Sequence, residues 1–442
     1  MEKENENLRR LKGNPLTRFE VTVGKVFIIA MLLLLVFNFL SPTRVFSERE
    51  YRSLAQRPVF SPANIRSGEY ARQLELFLRD QFFARDMWRG IRVSSRMFAG
   101  SRMENGVFIG SGGQLLEDIV IPDLSVLEET IAAIRAYSLR YPEISMYMML
   151  VPDGAAILTG RLPVLANVAD QGRLIQSVRG ELESDLIWLD AMRVLRIHQD
   201  QGVFYRTDPH WTSLGAFRVF EEVAPELGIE EDVAARFASF PISNSFNGEL
   251  ALRTGRRTRI TEEITIFAPQ GMDNDVIVNF VDEQRRTTSL YDRRMLDTRN
   301  QHRVFLSGSA SIVTINTLSP SQRRLLIIRD SSANSFVPFL TPYFREIILV
   351  DPQYYAGTID EIMEMYRVTD VFFLYRGNQF FQDTHLRRAL NDIDRIENIL
   401  EGSNDVEKTI EVESSNQVES YNREENDSEE NFRDPESYNE LE

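Results

Sequence analysis

The sequence predicts an α/β protein built on a largely parallel sheet, and two observations carry that expectation. Short apolar runs at residues 145–151 (SMYMMLV), 325–329, 347–350 and 371–374 read as buried strands, each ending in a polar turn. Between such runs lie stretches with apolar residues at helical spacing, at 124–141, 171–182 and about 213–227. Strands that alternate with helices point to crossover connections and a parallel sheet. In such sheets ligands bind at the carboxyl ends of the strands.

Taken in chain order, the first element is a membrane span. Residues 26–40 (VFIIAMLLLLVFNFL) are apolar except for Asn38, and extension back to Val21 gives 20 residues, with Lys25 placed to reach the interface. Arg9, Arg10, Lys12, Arg18 and Lys25 precede or open the span, while Arg44, Arg49 and Arg52 follow it. The expected topology is residues 1–20 inside, a signal anchor at 21–40, and the body outside the cell membrane. A cleaved signal peptide is the competing reading. The long charged segment before the span and the lack of an Ala-x-Ala site after Leu40 oppose it.

Residues 41–105 read as a helical stalk, because residues 70–82 (YARQLELFLRDQF) carry an apolar stripe. The main domain is expected over 106–401. Gly110-Ser-Gly-Gly113 suits a hairpin turn better than a phosphate loop, since no helix with Lys-Ser/Thr follows. Further short strands are expected at 186–189, 203–205 and 304–306, a β-rich insertion at about 237–300, and a helix after Asp330. From Glu401 to the end, fifteen acidic residues face three basic ones, so −12 of the formal −16 sits there. Residues 402–442 are therefore expected to be an acidic disordered tail.

Composition narrows the chemistry. The 442 residues contain no Cys and four His, which removes thiol catalysis, disulfides and Cys-based metal sites. No two of the His have the helical zinc spacing, so neither metal nor cofactor is expected. The nearly neutral body and acidic tail lack the basic stripe that nucleic acid requires.

Two strand ends can carry chemistry. In Phe204-Tyr-Arg-Thr-Asp-Pro-His-Trp-Thr212, Pro209 biases Asp208 toward the extended region, and side chains two apart share a face. Asp208 can thus orient His210 as a base, although an Asp helix cap beside an exposed His fits the same spacing. In Ile327-Ile-Arg-Asp-Ser-Ser-Ala-Asn-Ser-Phe336 an apolar strand runs into a small polar turn. Ser331 is the candidate nucleophile there and Ser332 the second choice, while helix N-capping is the plain alternative. Asp351, at the next strand end, is a rival acid.

These residues resemble a family. Residues 327–340 followed by Glu346-Ile-Ile-Leu-Val-Asp-Pro-Gln-Tyr-Tyr355 are similar to the signature block of the DHHW family, and Tyr205–Thr212 resembles its Asp-His-His-Trp motif. Leu150-Val-Pro152, Leu162-Pro163, Phe246-Asn-Gly248, Phe305-Leu306 and Phe46-Ser-Glu48 fit as well, so the resemblance spans about 46–400. That family in turn resembles the SGNH-hydrolase-like proteins of alginate O-acetylation, in which the Asp-x-His-Trp motif precedes the Ser motif. The resemblance implies an SGNH-like, flavodoxin-like fold with permuted motif order, with Asp208 as orienting acid, His210 as base and Ser331 as nucleophile. Ser332, Asn334, Gly308, Tyr205 and Trp211 are the candidates for oxyanion or substrate contacts.

Two departures stand out: Pro209 replaces the first His of the motif, and Ser307-Gly-Ser309 replaces the usual Gly-Gly-Asn. The expected function is an acyl esterase or O-acetyltransferase acting on a cell-surface polysaccharide, with a membrane-bound O-acyltransferase as the partner that supplies acyl groups. The alternative is a non-catalytic surface protein that keeps the fold and binds glycan or a partner.

Overall fold

The structure, a computed structural model, describes residues 15–47, 52–255, 260–270, 275–308 and 310–390. Residues 1–14 of the N-terminal segment expected inside the cell, Ser309 and the expected acidic tail at 402–442 lie outside these residues. The first helix, α1, runs Pro15–Leu40 and begins before the expected span. Within it Phe19–Leu40 is 22 residues long with a mean hydropathy of 2.5, enough to cross a membrane, and none of its apolar window is buried. A short helical turn (Pro62–Arg66) and two longer helices follow, α2 (Glu69–Asp80) and α3 (Arg85–Phe98). Val93 and Met97 of α3 turn inward, and Met97 packs on the small cluster of Val107, Ile109, Leu115, Leu250 and Ala251. The Gly110–Gly113 segment is the turn of a hairpin, joining antiparallel strands Val107–Ile109 and Leu115–Glu117. Gly112 and Gly113 adopt positive φ there, which suits glycine.

The central sheet has eight strands: β1 (Ser145–Val151), β2 (Ile187–Trp188), β3 (Ile277–Phe280), β4 (Arg285–Thr287), β5 (Ile312–Asn316), β6 (Arg324–Arg329), β7 (Glu346–Val350) and β8 (Asp370–Arg376). Their order is β4-β3-β5-β7-β6-β8-β1-β2. The five strands from β7 to β2 are parallel to their neighbours, and β5, β3 and β4 extend that sheet antiparallel. The order places β6, from the late part of the chain, near the middle of the whole sheet, between β7 and β8. The strand ends that hold Ser331, Asp153 and Arg376 therefore open on one side.

Both faces of the parallel strands are covered, which explains their unbroken apolar character. Alternate residues Tyr147, Met149, Ile327, Leu349 and Phe372 enter one core with Phe217 and Phe220. Their neighbours Met148, Ile328, Ile348 and Phe373 enter the other, with Ile134, Val178 and Ile362. The helices over these faces include α4 (Leu124–Arg140), α5 (Gln171–Leu182), α6 (Ala191–Ile197), α7 (Ser213–Val223) and α8 (Ile359–Tyr366). Asp123, Asp170, Asp190, Thr212 and Thr358 cap them, each accepting a main-chain N–H.

Several expectations need correction. Phe204 makes only a single bridge to Trp211, and Phe305 one to Tyr291, so neither 203–205 nor 304–306 is a strand. These short apolar runs are buried by packing and have no ladder partner. The helix expected after Asp330 is short (Val337–Leu340) and is preceded by a 3-10 turn (Ser331–Ser335). Among the described residues, the insertion at about 237–300 holds four strands in two groups. Its ribbon Phe237–Phe246 with Glu262–Pro269 is separate, but β3 and β4 join the central sheet.

Candidate active site

Asp330 ends the central strand β6 and caps the turn that follows, accepting the Ser332 N–H at 3.1 Å and the Arg376 N–H at 3.4 Å. That leaves Ser331 as the first residue of the turn, partly exposed above the sheet. Its hydroxyl lies 2.9 Å from Nε2 of His210. His210 Nδ1 lies 2.6 Å from Oδ1 of Asp208, and the His210 main-chain N–H donates to the same oxygen at 3.1 Å. Three side chains from two distant segments thus form one hydrogen-bonded relay. The imidazole is 12% exposed and the carboxylate 3%.

Asp208 is oriented from a third direction. The Glu249 N–H donates to its Oδ2 at 3.0 Å, and the Gly248 N–H donates to Thr207 Oγ1 at 2.9 Å. A Cβ on Gly248 would fall 2.4 Å from the Cβ of Asp208, so only glycine permits this approach. The Phe246-Asn-Gly248 turn thereby acquires a physical role. Thr207 is in turn held by Glu262, which accepts its N–H at 2.9 Å and its hydroxyl at 2.6 Å.

Electrostatics follow from this geometry. Burial pushes the Asp208 carboxyl up, but the charge and hydrogen bond of His210 outweigh it and hold it well below the usual carboxylate range. Burial lowers His210, and Asp208 more than compensates, leaving the imidazole above its ordinary value. Arg376 opposes that rise through its positive charge. Arg376 is held by Asp153 at 2.8 Å and by Glu117, which fixes the end of β8 beside the turn.

The other candidates occupy structural places. Ser332 is buried, with its hydroxyl on Asp330 Oδ2 at 3.2 Å. Trp211 is 1% exposed, donates from Nε1 to the Ser332 carbonyl at 2.9 Å and stacks on Phe336. It braces the turn from below and offers no open face to a sugar. Tyr205 is buried against Phe246 and His302, with no hydrogen-bond partner for its hydroxyl. Asn334 donates its amide to the carbonyls of Gly308 at 3.0 Å and Phe305 at 3.4 Å. The Gly308 N–H bonds to Phe305 at 3.1 Å. Both are committed to closing the loop around Leu306, Ser307 and Gly308, all three at positive φ. Asp351 faces Arg329 at 3.9 Å, and burial pushes its carboxyl up to about 6. His210 is served by Asp208 instead.

His302 is the residue that sequence reasoning passed over. Its ring stacks on that of His210, and it is buried with Nε2 unpartnered. Its place three residues before Phe305-Leu306 is the only signal that could have drawn attention to it. Among the described residues, Asp208, His210 and His302 bring ligand atoms within 4.8 Å of one another. Both ring nitrogens of His210 already face Asp208 and Ser331, so a metal ion would displace one of those bonds.

Residues 125–315 match the SGNH hydrolase-like domain of the acetyltransferase AlgX. This segment contains Asp208 and His210 and stops before Ser331. No curated protein matches the chain in sequence. Among solved structures, a DHHW family protein from Eubacterium siraeum DSM 15702 superposes with a TM-score of 0.56 at 19% identity, covering 65% of this chain and 95% of that one. PatB1 of Bacillus cereus, solved with a sulfonyl adduct, gives a TM-score of 0.54 at 17% identity, covering 64% of this chain and 96% of that one. The chain therefore has an SGNH-like fold with an N-terminal apolar helix, and it resembles the DHHW proteins and the AlgX acetyltransferase domain.

Proposed function

We propose that this protein is a membrane-anchored, extracytoplasmic acyl esterase or O-acetyltransferase that acts on a cell-surface polysaccharide. The relay Asp208–His210–Ser331, with spacings of 2.6 Å and 2.9 Å, is the observation that carries the reading. Ser331 Oγ attacks the acyl carbonyl while its proton passes to His210 Nε2. The leaving alcohol departs with that proton, and the acyl group stays on Ser331 as an ester. A sugar hydroxyl or water then attacks, gives its proton to His210, and releases Ser331. Asp208 keeps its charge throughout and stabilises the imidazolium.

Helix α1 anchors the chain with its N-terminus inside, and a membrane-bound O-acyltransferase supplies the acyl group. The match to an acetyltransferase domain supports the acyl chemistry, and the length and hydropathy of α1 support the anchor. Protease treatment of intact cells tests the topology: digestion of the body is expected, and its protection overturns the outward orientation. A mature N-terminus beyond Leu40 overturns the anchor.

The catalytic reading is tested with a model acetyl ester and a sulfonyl fluoride. Wild-type protein is expected to cleave the ester and to be labelled at Ser331. Ser331→Ala and His210→Ala are each expected to lose nearly all activity, and the double variant little more, because the relay acts as a unit. Full activity in Ser331→Ala removes Ser331 as nucleophile. The non-catalytic glycan-binding reading is favoured by one observation, the commitment of the Asn334 and Gly308 donors to loop carbonyls. It predicts neither labelling nor turnover.

A further inference from the structure

The stalk carries an exposed apolar stripe that the acyl chemistry does not use. On α3, Met87 is 52% exposed, Trp88 43%, Ile91 50% and Phe98 97%. At about 100° per residue these four side chains fall within an arc of about 100°. Val93 and Met97 lie on the opposite side, against the body. Arg92 and Arg96 border the stripe, each more than half exposed while paired with Glu104 at 2.6 Å and 3.0 Å. An exposed apolar stripe that carries a Trp and has arginines along one flank is the pattern of a helix that lies in a membrane interface.

Its position says what covers it. Phe83, two residues before α3, stacks on Phe37 of α1 with centroids 5.1 Å apart. The Phe83 N–H also donates to Asn38 Oδ1 at 2.9 Å. Asn38 lies two residues before the end of α1, and Arg44, just beyond that end, bonds through its N–H to Gln81 at 2.9 Å. The start of α3 is therefore pinned at the level where the apolar span stops.

We infer that α3 is an interfacial helix that seats Met87, Trp88, Ile91 and Phe98 in the lipid surface next to the anchor, with Arg92 and Arg96 toward lipid phosphates. The inference rests on α1 spanning the membrane. It would hold the domain at a fixed orientation to the bilayer and leave less freedom than a loose tether.

The test uses the full chain carrying Trp188→Phe, so that the remaining tryptophans are Trp88 and Trp211, which is 1% exposed. The protein is reconstituted into vesicles of phosphatidylcholine and phosphatidylglycerol, with or without bromines on the acyl chains. Expected is a blue-shifted Trp88 emission that loses its larger part in brominated vesicles, and no such loss after Trp88→Phe. The exposed-face variant Met87→Ser, Ile91→Ser, Phe98→Ser is expected to restore most of the Trp88 signal, and its far-ultraviolet circular dichroism to stay that of the parent. Alkaline carbonate extraction reads the anchor separately. Unquenched Trp88 in protein that resists extraction overturns the interfacial helix and leaves the anchor standing. Release by carbonate removes the anchor and the inference with it. Shielding of Trp88 that appears only with a second membrane protein assigns the stripe to a protein partner and overturns the lipid assignment.

Discussion

The rings of His210 and His302 lie face to face, with centroids 4.0 Å apart and planes 14° from parallel. Burial foremost, and then the charge of His210, lowers the His302 pKa to about 3. At neutral pH His302 is therefore an uncharged plate, and its contribution to His210 is shape. Replacing it with Phe is expected to keep both the rate and its pH midpoint. Replacing it with Ala removes a stacked contact of about 0.5–1.5 kcal/mol and should lower kcat about two- to tenfold. A large loss in His302→Phe would show that the second imidazole takes part in proton transfer.

The pH dependence of ester cleavage follows from the Asp208 contact. The base must be unprotonated, so the rate is expected to rise with pH through the His210 pKa. That pKa is raised in the folded protein, which puts the midpoint above the ordinary value of about 6.5. Asp208→Asn removes the charge that lifts it most and leaves burial and the Arg376 charge opposed only by Asp330. The midpoint should then move down as the maximal rate falls. A rate–pH profile of both proteins checks the order of the two midpoints.

Acid stability offers a separate reading of His302. Its pKa is depressed on folding, so the unfolded chain binds the extra proton first. Stability is expected to fall as pH drops from about 6.5 toward 3, the window between its unfolded and folded values. Asp208, also depressed, adds its loss only below the ordinary carboxylate value of about 3.9. His302→Phe should flatten the upper part of this curve. Denaturant melts at a series of pH values measure it, and an unchanged slope would place the titration elsewhere.

Gly248→Ala is expected to damage the site without touching a reacting atom. The new methyl meets Asp208 at 2.4 Å from its Cβ and 2.8 Å from its Cα, a contact with backbone that cannot swing away. Overpacking of this kind costs about 1–3 kcal/mol, and the displaced carboxylate would no longer orient His210. Turnover should fall by more than the loss of stability explains. Thermal melts beside kcat separate the two effects.

The parallel strands were legible because burial on both faces leaves uninterrupted apolar runs; the strand read at 145–151 is the strand observed. Asp208, His210 and Ser331 could be singled out because Pro209 and the strand-to-turn transition restrict the local backbone. The short runs at 203–205 and 304–306 were misread because apolarity records burial and does not record whether a neighbouring strand is present. Trp211 and Tyr205 were overvalued for a related reason. An aromatic beside a reactive residue can form the floor as easily as the rim, and only the packed structure distinguishes them. His302 is brought to His210 by tertiary folding alone, across more than ninety residues of sequence.

The carboxylate of Asp208 is held by a turn that belongs to neither of the two short motifs. Grafting those motifs onto another α/β scaffold would therefore transfer the relay's letters without its grammar. A chain that keeps the Asp-x-His-Trp and Ser segments but lacks a Gly-Glu turn at the position of 248–249 would carry an acid free to rotate. The diagnostic signature is thus tripartite, and circular permutation or trimming of the intervening region should be judged by whether that third element still closes on the first.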